Sequence, residues 1–148
     1  MVTVRANTQV IGNTGLYYVC YRLSRFGWNV MPTARNARGI DLLIYSQDAN
    51  RTHTIQVKAL SKQSPVPLGG SVDGLLGDFF IICRQIASDM PECFILTPRE
   101  VAKAAHKGEK EGRLSFWLQP KAYAVDKFRE RWDRIGHGAN EVIPTDDA

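Results

Sequence analysis

The sequence predicts a mixed α/β domain in which a central β-sheet is flanked by helices. Short apolar runs rich in β-branched and aromatic residues are bounded by turn residues, two other segments carry apolar residues at helical spacing, and a third begins with a helix-start signal. The predicted order along the chain is α-β-β-β-β-β-α-β-α, which favours one mixed sheet covered by helices. The 148 residues fit a single domain, and we expect a core over about 12–135 and a loose tail over 136–148.

Three helices are predicted, the first and last from apolar residues that recur every three or four positions and the second from its start signals. They lie over about 14–26, 98–106 and 120–134. Asn13 and Thr14 are both suitable N-caps for the first helix, and Gly27 is a suitable stop. Thr97 and Pro98 begin the second helix, as cap and first helical residue.

Six strands are predicted from short apolar runs. They lie over about 28–31, 40–45, 53–60, 79–83, 93–96 and 114–118. The run from Ile40 to Tyr45 is almost continuously hydrophobic, as expected of a strand buried on both faces. A polar turn joins it to the next run, so these two strands are predicted to form a hairpin. Residues 61–77 contain prolines and glycines and are predicted to be a long loop, of the kind that is often functional.

The composition is that of a soluble globular protein, with 44% hydrophobic and 23% charged residues. A net charge of +4 favours a polyanionic partner such as DNA. We expect no membrane span, no signal peptide and a cytoplasmic location, because no apolar run is long enough and none follows a basic start. Cys20, Cys83 and Cys93 match no zinc spacing and are expected to be reduced core thiols. The sequence contains no phosphate-binding glycine motif, so we expect no nucleotide cofactor.

Three polar residues stand out within the predicted hairpin. Asp41 begins an otherwise apolar strand, and Gln56 and Lys58 interrupt the returning one. Because side chains alternate along a strand, Gln56 and Lys58 share one face, and hairpin pairing can bring that face beside Asp41. A structural alternative is that Asp41 lies at an exposed strand end and that Gln56 and Lys58 lie on a solvent-exposed face of their strand.

This trio suits the hydrolysis of a phosphodiester bond. A carboxylate and a second oxygen ligand can hold a divalent ion such as Mg²⁺ or Mn²⁺, which polarises the phosphate and acidifies a bound water. The lysine can orient that water or offset the charge that develops on phosphorus.

The arrangement resembles the PD-(D/E)xK nuclease superfamily, which includes restriction enzymes and Holliday-junction resolvases. The resemblance covers about residues 12–135. It rests on a Gly-x-x-Gly helix, then GWNVMPT, RGIDLLIY, IQVKAL, FILTPREV and a closing RWDRI segment. It implies a restriction-endonuclease-like fold and a metal-dependent DNA endonuclease. Asp41, Gln56 and Lys58 would be the catalytic residues, and Asp41, Gln56 and the Val57 carbonyl the metal ligands.

Two departures from the family pattern keep an alternative function open. Gln56 stands at the position that is usually acidic, and Leu16 stands where the first helix often carries a glutamate. Asp73 or Asp78 could supply a second charge from the long loop. The alternatives are a nuclease-like protein that binds DNA or a protein partner without cutting, and an interaction module that binds no nucleic acid.

Basic residues flank the predicted site. Arg35, Asn36 and Arg38 precede Asp41, and Lys62 follows the strand that carries Lys58. They could meet phosphates beside the site or form a solvated loop surface. Nucleases of this kind often act as dimers, so the resemblance also makes a homodimer an expectation.

The charged stretch 103–113 is mixed in sign and is interpreted as a solvated helix end and turn. Trp117, in the last predicted strand, is interpreted as a core residue.

Overall fold

A computed structural model of the chain describes residues 7–34 and 39–140. The helices in this part are α1 (Thr8–Arg25), α2 (Pro98–Ala104) and α3 (Pro120–Tyr123), with a 3₁₀ turn at Trp132–Arg134. The strands are β1 (Asn29–Pro32), β2 (Leu42–Tyr45), β3 (Thr52–Ala59), β4 (Val66–Gly69), β5 (Phe79–Arg84), β6 (Glu92–Leu96), β7 (His106–Lys110) and β8 (Arg113–Leu118). None of the described helices combines the length and apolar character that crossing a bilayer would require.

The strands form two sheets. The main sheet has the order β1-β2-β3-β5-β6, and the second sheet has the order β4-β8-β7. Neighbouring strands run antiparallel except β3 and β5, which are parallel. The hairpin predicted from the sequence is confirmed, since Leu42 pairs with Ile55 and Tyr45 with Thr52.

The main sheet separates two hydrophobic cores. Its helix-side face packs against α1 through Val19 and Leu23, and contributes Ile55 and Ile81. The opposite face, here called the second-sheet side, packs against β4 and β8. Buried residues of this second core include Val66, Phe80, Ile82, Leu96 and Leu118. Alternation along β5 therefore sends Phe80 and Ile82 to one side and Ile81 to the other.

The first helix begins earlier than the sequence predicted. Asn7 is its N-cap, with the side-chain oxygen accepting from the Val10 amide at 2.9 Å. Gly15 lies at the closest approach to the sheet, where an added β-carbon would come within 2.4 Å of the Ala59 β-carbon. Gly27, just after the helix, has φ +86°, as predicted for the residue that ends it.

The last predicted helix, 120–134, is wrong beyond its first turn. The chain leaves the helix after Tyr123 and then runs beside β6. Ile95 donates its backbone N–H to the Phe128 carbonyl at 2.9 Å, and Glu130 donates to the Cys93 carbonyl at 2.8 Å. The backbone of β6 thus takes up hydrogen bonds that a continuous helix would have kept to itself.

Two strands were not predicted. β4 contains Pro67 and lies at an edge of the second sheet, a position where a missing N–H is tolerated. β7 occupies residues that were assigned to a helix end and a charged turn, so the stretch 103–113 was interpreted wrongly. Its sequence, HKGEK, has no apolar alternation because both faces of this strand are largely exposed.

The chain after the 3₁₀ turn remains attached to the body as far as it is described. The sequence placed residues from Gly136 onward in a loose tail, whereas Gly138 is buried and donates its N–H to the Phe26 carbonyl at 2.9 Å. Gln47 in turn donates its N–H to the Gly138 carbonyl at 2.8 Å. Residues 141–148 of that predicted tail lie outside the described part.

Candidate active site

Asp41 is joined to the next strand by its main chain and by its side chain. Its backbone N–H donates to the Ile55 carbonyl at 2.9 Å. Its carboxylate oxygen Oδ2 accepts the Val57 backbone N–H at 2.7 Å. A carboxylate held by an amide donor is a charge-assisted hydrogen bond, about twice as strong as a neutral one. Asp41 is therefore fixed against β3 rather than free at an exposed strand end.

The register explains why this carboxylate finds the Val57 amide. Leu42 pairs with Ile55, and the Asp41 N–H also donates to the Ile55 carbonyl, so Asp41 and Leu42 both lie opposite Ile55, as in a β-bulge. The ladder between β2 and β3 ends there, so Val57 has no β2 partner. The N–H and C=O of one strand residue point to the same side, and the Val57 carbonyl therefore points toward the edge where the Asp41 carboxylate lies.

Gln56 and Lys58 lie on the second-sheet side of β3. They are aligned with Phe80 and Ile82 of β5 and share their face, while Ile55 lies on the helix side. Gln56 and Lys58 are half-buried. Within the described residues, no carboxylate forms a salt bridge of 4.0 Å or less with Lys58, so its charge is not used up in a structural ion pair.

The long loop before β5 packs against the two residues that precede Asp41 in the chain. A β-carbon on Gly39 would lie 3.3 Å from the Leu76 side chain. A β-carbon on Gly77 would lie 3.1 Å from both Ile40 Cδ1 and the Thr54 carbonyl oxygen. The sequence marked this loop as functional in general terms but missed these contacts. Leu76, an apolar residue among glycines, is the signal that could have found them.

The positions that could have supplied a second carboxylate, 16, 73 and 78, do not place one beside Asp41. Leu16 packs against the helix-side core, on the face of the sheet opposite to Gln56. Asp78 accepts the Thr54 N–H at 2.9 Å, and its Oδ2 lies 3.7 Å from His53 Nδ1. Asp73 is exposed, and its N–H donates to the Ser71 hydroxyl.

Among the described residues, the predicted metal site would supply one carboxylate (Asp41), one amide carbonyl (Gln56) and one main-chain carbonyl (Val57). No cluster of three or more His, Cys, Asp or Glu side chains that could hold a metal occurs in residues 7–34 and 39–140. Oxygen donors of these three kinds are the ligands that Mg²⁺ takes. The chemistry of the set therefore fits a hard divalent ion, although it carries a single negative charge.

Only one of the four predicted phosphate-contacting residues can be placed. Lys62 is exposed and follows the end of β3 by three residues, so it leaves the same strand as Lys58. Arg35, Asn36 and Arg38 lie outside the described residues.

Two solved structures superpose on a large part of this chain. A bacterial homing endonuclease, I-Ssp6803I, superposes with a TM-score of 0.56 over 88% of this chain and 93% of its own, at 15% identity. Hjc, a Holliday junction resolvase from Archaeoglobus fulgidus, gives a TM-score of 0.45 over 73% of this chain and 90% of its own, at 13% identity. No protein-family model matches the sequence, and the search of curated proteins found no significant match.

The likeness to the homing endonuclease establishes the fold class. The predicted restriction-endonuclease-like architecture, a mixed sheet flanked by helices, is confirmed. At this level of identity the likeness concerns the fold alone, and the function has to be argued from the site.

Proposed function

We propose that this protein is a metal-dependent DNA endonuclease whose active site is formed by Asp41, Gln56 and Lys58. The observation that carries the proposal is the 2.7 Å hydrogen bond from the Val57 N–H to the Asp41 carboxylate. It holds the one charged oxygen donor beside the strand from which Gln56 and Lys58 project. The net charge of +4 and the fold shared with a homing endonuclease support DNA as the substrate.

Each residue has a separate task in this proposal. Asp41, Gln56 and the Val57 carbonyl would hold Mg²⁺ or Mn²⁺, which when bound supplies Lewis-acid stabilisation of the phosphate and a more acidic water. Lys58, two residues beyond Gln56 on the same face, orients the attacking water and offsets the negative charge that grows on the phosphate oxygens. The Val57 N–H keeps the Asp41 side chain in one orientation throughout.

The test is cleavage of a DNA panel that contains duplex, nicked, junction and single-stranded substrates, with Mg²⁺ or Mn²⁺. We expect the native protein to cut at least one substrate. We expect Asp41→Ala and Lys58→Ala to reduce the rate by at least about 100-fold, the usual effect of losing a transition-state charge partner. Urea denaturation of each variant checks that the fold persists.

A surface lysine supplies the matched control. Lys103→Ala removes the same charge from an exposed position on α2 and should leave cleavage unchanged. The proposal fails if Lys58→Ala cuts as fast as the native protein, or if no substrate is cut with either metal.

A nuclease fold that binds DNA without cutting is the second candidate function. It is favoured because Asp41 is the one carboxylate that residues 7–34 and 39–140 bring to the site, since Leu16 packs into the core and Asp78 is held by Thr54. It predicts DNA retention that falls as salt is raised but does not change when Mg²⁺ is replaced by a chelator. Retention of this kind without cleavage would establish it in place of the endonuclease.

We also propose that two copies act together, because a chain of this size covers little DNA alone. Sedimentation at concentrations used for cleavage should give twice the mass of 16.6 kDa. A single-chain mass under conditions in which the protein cuts would exclude it.

A further inference from the structure

The hairpin of β7 and β8 is a charged feature of the described fold that the proposed active site does not use. Its two-residue turn, Glu111 and Gly112, has φ of +54° and +77°, the backbone signs of a type I′ turn. β7 is an edge strand that pairs only with β8. The hairpin is therefore a two-stranded ribbon at the margin of the second sheet.

Side chains alternate between the two faces of the ribbon, so charges that are mixed along the sequence are distributed unequally between these faces. One face of the ribbon carries His106, Gly108, Lys110, Arg113, Ser115 and Trp117, which pair across the strands. The other face carries Lys107, Glu109, Leu114 and Phe116. The first set, which we call the outer ribbon face, contains two cations and no carboxylate. The second set contains one cation and one carboxylate.

The outer ribbon face points away from the core of the second-sheet side. Leu118 and its partner Val66 are buried in that core, so the residues alternate with them point outward. Trp117 is one of these, and it pairs with Pro67 and with His106. Its interpretation as a core residue is therefore wrong, because the indole is half-buried on an outward face.

The Trp117 indole lies against the backbone of Gly108 in the paired strand. A β-carbon on Gly108 would come within 2.8 Å of its six-membered ring, so glycine is what allows the ring to cover the strand. The His106 ring lies 5.3 Å from it, centroid to centroid. Two rings thus form a platform on the face that presents Lys110 and Arg113 near the turn.

We propose that the outer ribbon face is a second contact surface for duplex DNA. Lys110 and Arg113, adjacent across the strands, would bind backbone phosphates. Trp117 and His106 would pack against the sugars behind them. The inference rests on the proposed function for its ligand, and its own support is the separation of charge between the two faces.

The position of the ribbon agrees with this role. The second sheet covers the face of the main sheet from which Gln56 and Lys58 project. The exposed tyrosines of α1, Tyr17 and Tyr21, lie on the outside of a helix that covers the opposite face. Gln56, Lys58 and the ribbon therefore lie on the same side of the main sheet, opposite to α1.

The test is binding of the protein to a fluorescently labelled duplex, measured by fluorescence anisotropy. A chelator removes divalent metal ions so that no cleavage occurs during the measurement. Lys110→Gln with Arg113→Gln should weaken binding on the order of tenfold at low salt. It should also reduce the slope of log K against log salt by about 2, roughly one unit for each phosphate that is no longer bound. Lys110→Arg with Arg113→Lys keeps both charges and should bind within twofold of the native protein.

The matched control removes the same charge from other exposed positions. Lys107→Gln lies on the opposite face of the ribbon and Lys103→Gln on α2, and this pair should change affinity less than twofold. Acrylamide quenching is a second readout, because Trp28 and Trp132 are buried and Trp117 is the accessible indole. Duplex DNA should protect the native protein but make little difference in Trp117→Phe.

The outcomes separate this inference from the proposed function. If the native protein binds and the outer-face variant does not, the inference holds whether or not DNA is cut. If the outer-face pair (Lys110→Gln with Arg113→Gln) and the control pair (Lys107→Gln with Lys103→Gln) weaken binding equally, or if neither pair weakens it, the ribbon is not a specific DNA surface. This holds even in a protein that cuts. If the native protein binds no duplex at all, the inference is overturned.

Discussion

Gln56 limits how tightly the proposed site can hold a divalent ion. It gives an amide oxygen where a carboxylate would double the negative charge facing the ion, and affinity for hard cations rises with ligand charge. We expect Gln56→Glu to lower the Mg²⁺ concentration for half-maximal cleavage by on the order of tenfold. Cleavage rate measured against Mg²⁺ concentration tests this.

The control for that change is Gln9→Glu, which adds the same charge to an exposed residue in the first turn of α1. It should leave the metal dependence as in the native protein. An unchanged metal dependence in Gln56→Glu would mean that residue 56 does not contact the ion.

The cysteines give a second prediction at this scale. Cys83 and Cys93 are fully buried with their sulfurs 2.7 Å apart, and this hydrogen bond together with burial raises the pKa of the Cys93 thiol. Burial also raises the pKa of Cys20. We expect a maleimide at neutral pH to label the native protein at Cys20 at most, and slowly, because the thiolate is the reactive form. Mass spectrometry should show three labels after denaturation, and rapid labelling of Cys93 in the native state would contradict this.

The sequence predicted the trio at the site because its signals are local. Gln56 and Lys58 are the polar positions of a regular alternation, and Asp41 stands at a strand end within the same hairpin, so pairing follows from the turn. The hydrogen bond from the Val57 N–H to the Asp41 carboxylate was not predictable, since it depends on where the pairing of β2 with β3 stops. The engagement of Asp78 with Thr54 depends on a strand pairing between distant segments.

At the scale of elements, Gly15 is what lets α1 lie close to β3. A β-carbon there meets Ala59, whereas one on Gly12 of the same helix meets nothing within 4 Å. We expect Gly15→Ala to lower the free energy of unfolding by about 1–3 kcal/mol through overpacking. Gly12→Ala should raise it by about 0.5–1 kcal/mol, because glycine is a poor helix former. Urea denaturation compares the two, and equal effects would show that the close approach is not tight.

The elements that the sequence did not predict have a common cause. β7 carries almost no apolar side chains, and the segment around Phe128 is bonded to β6, which lies far away in the chain. Neither feature can be recognised from the local order of apolar and polar residues. The hairpin of β2 and β3 was predicted because its alternation and its turn are both local.

At the scale of the molecule, Glu100 joins three segments. It accepts the Thr97 N–H at 2.9 Å, closing the cap of α2, and accepts from Arg134 of the 3₁₀ turn at 2.7 Å. Burial alone would raise the pKa of Glu100, but the hydrogen bonds from Thr97 and Arg134 outweigh it and lower the pKa below 4.5. A carboxyl whose pKa is lower in the folded state stabilises the fold above its unfolded pKa.

This contribution should be present at neutral pH and lost as the pH falls from about 4.5 through the lower pKa of the folded state. Glu100→Gln should therefore unfold more easily than the native protein at pH 7, by roughly 1 kcal/mol. The difference should shrink below pH 4, and thermal unfolding across this range measures it. A constant difference at all pH values would assign the effect to packing alone.

The single parallel pairing of β3 with β5 has a consequence for the order of folding. It connects two antiparallel units, β1-β2-β3 and β5-β6, each of which joins neighbours in the chain. Closing a long connection costs entropy before any contact repays it. Asp41, Gln56 and Lys58 all belong to the β2-β3 unit, so an early intermediate with both antiparallel units formed would already bring these three residues together before β3 pairs with β5.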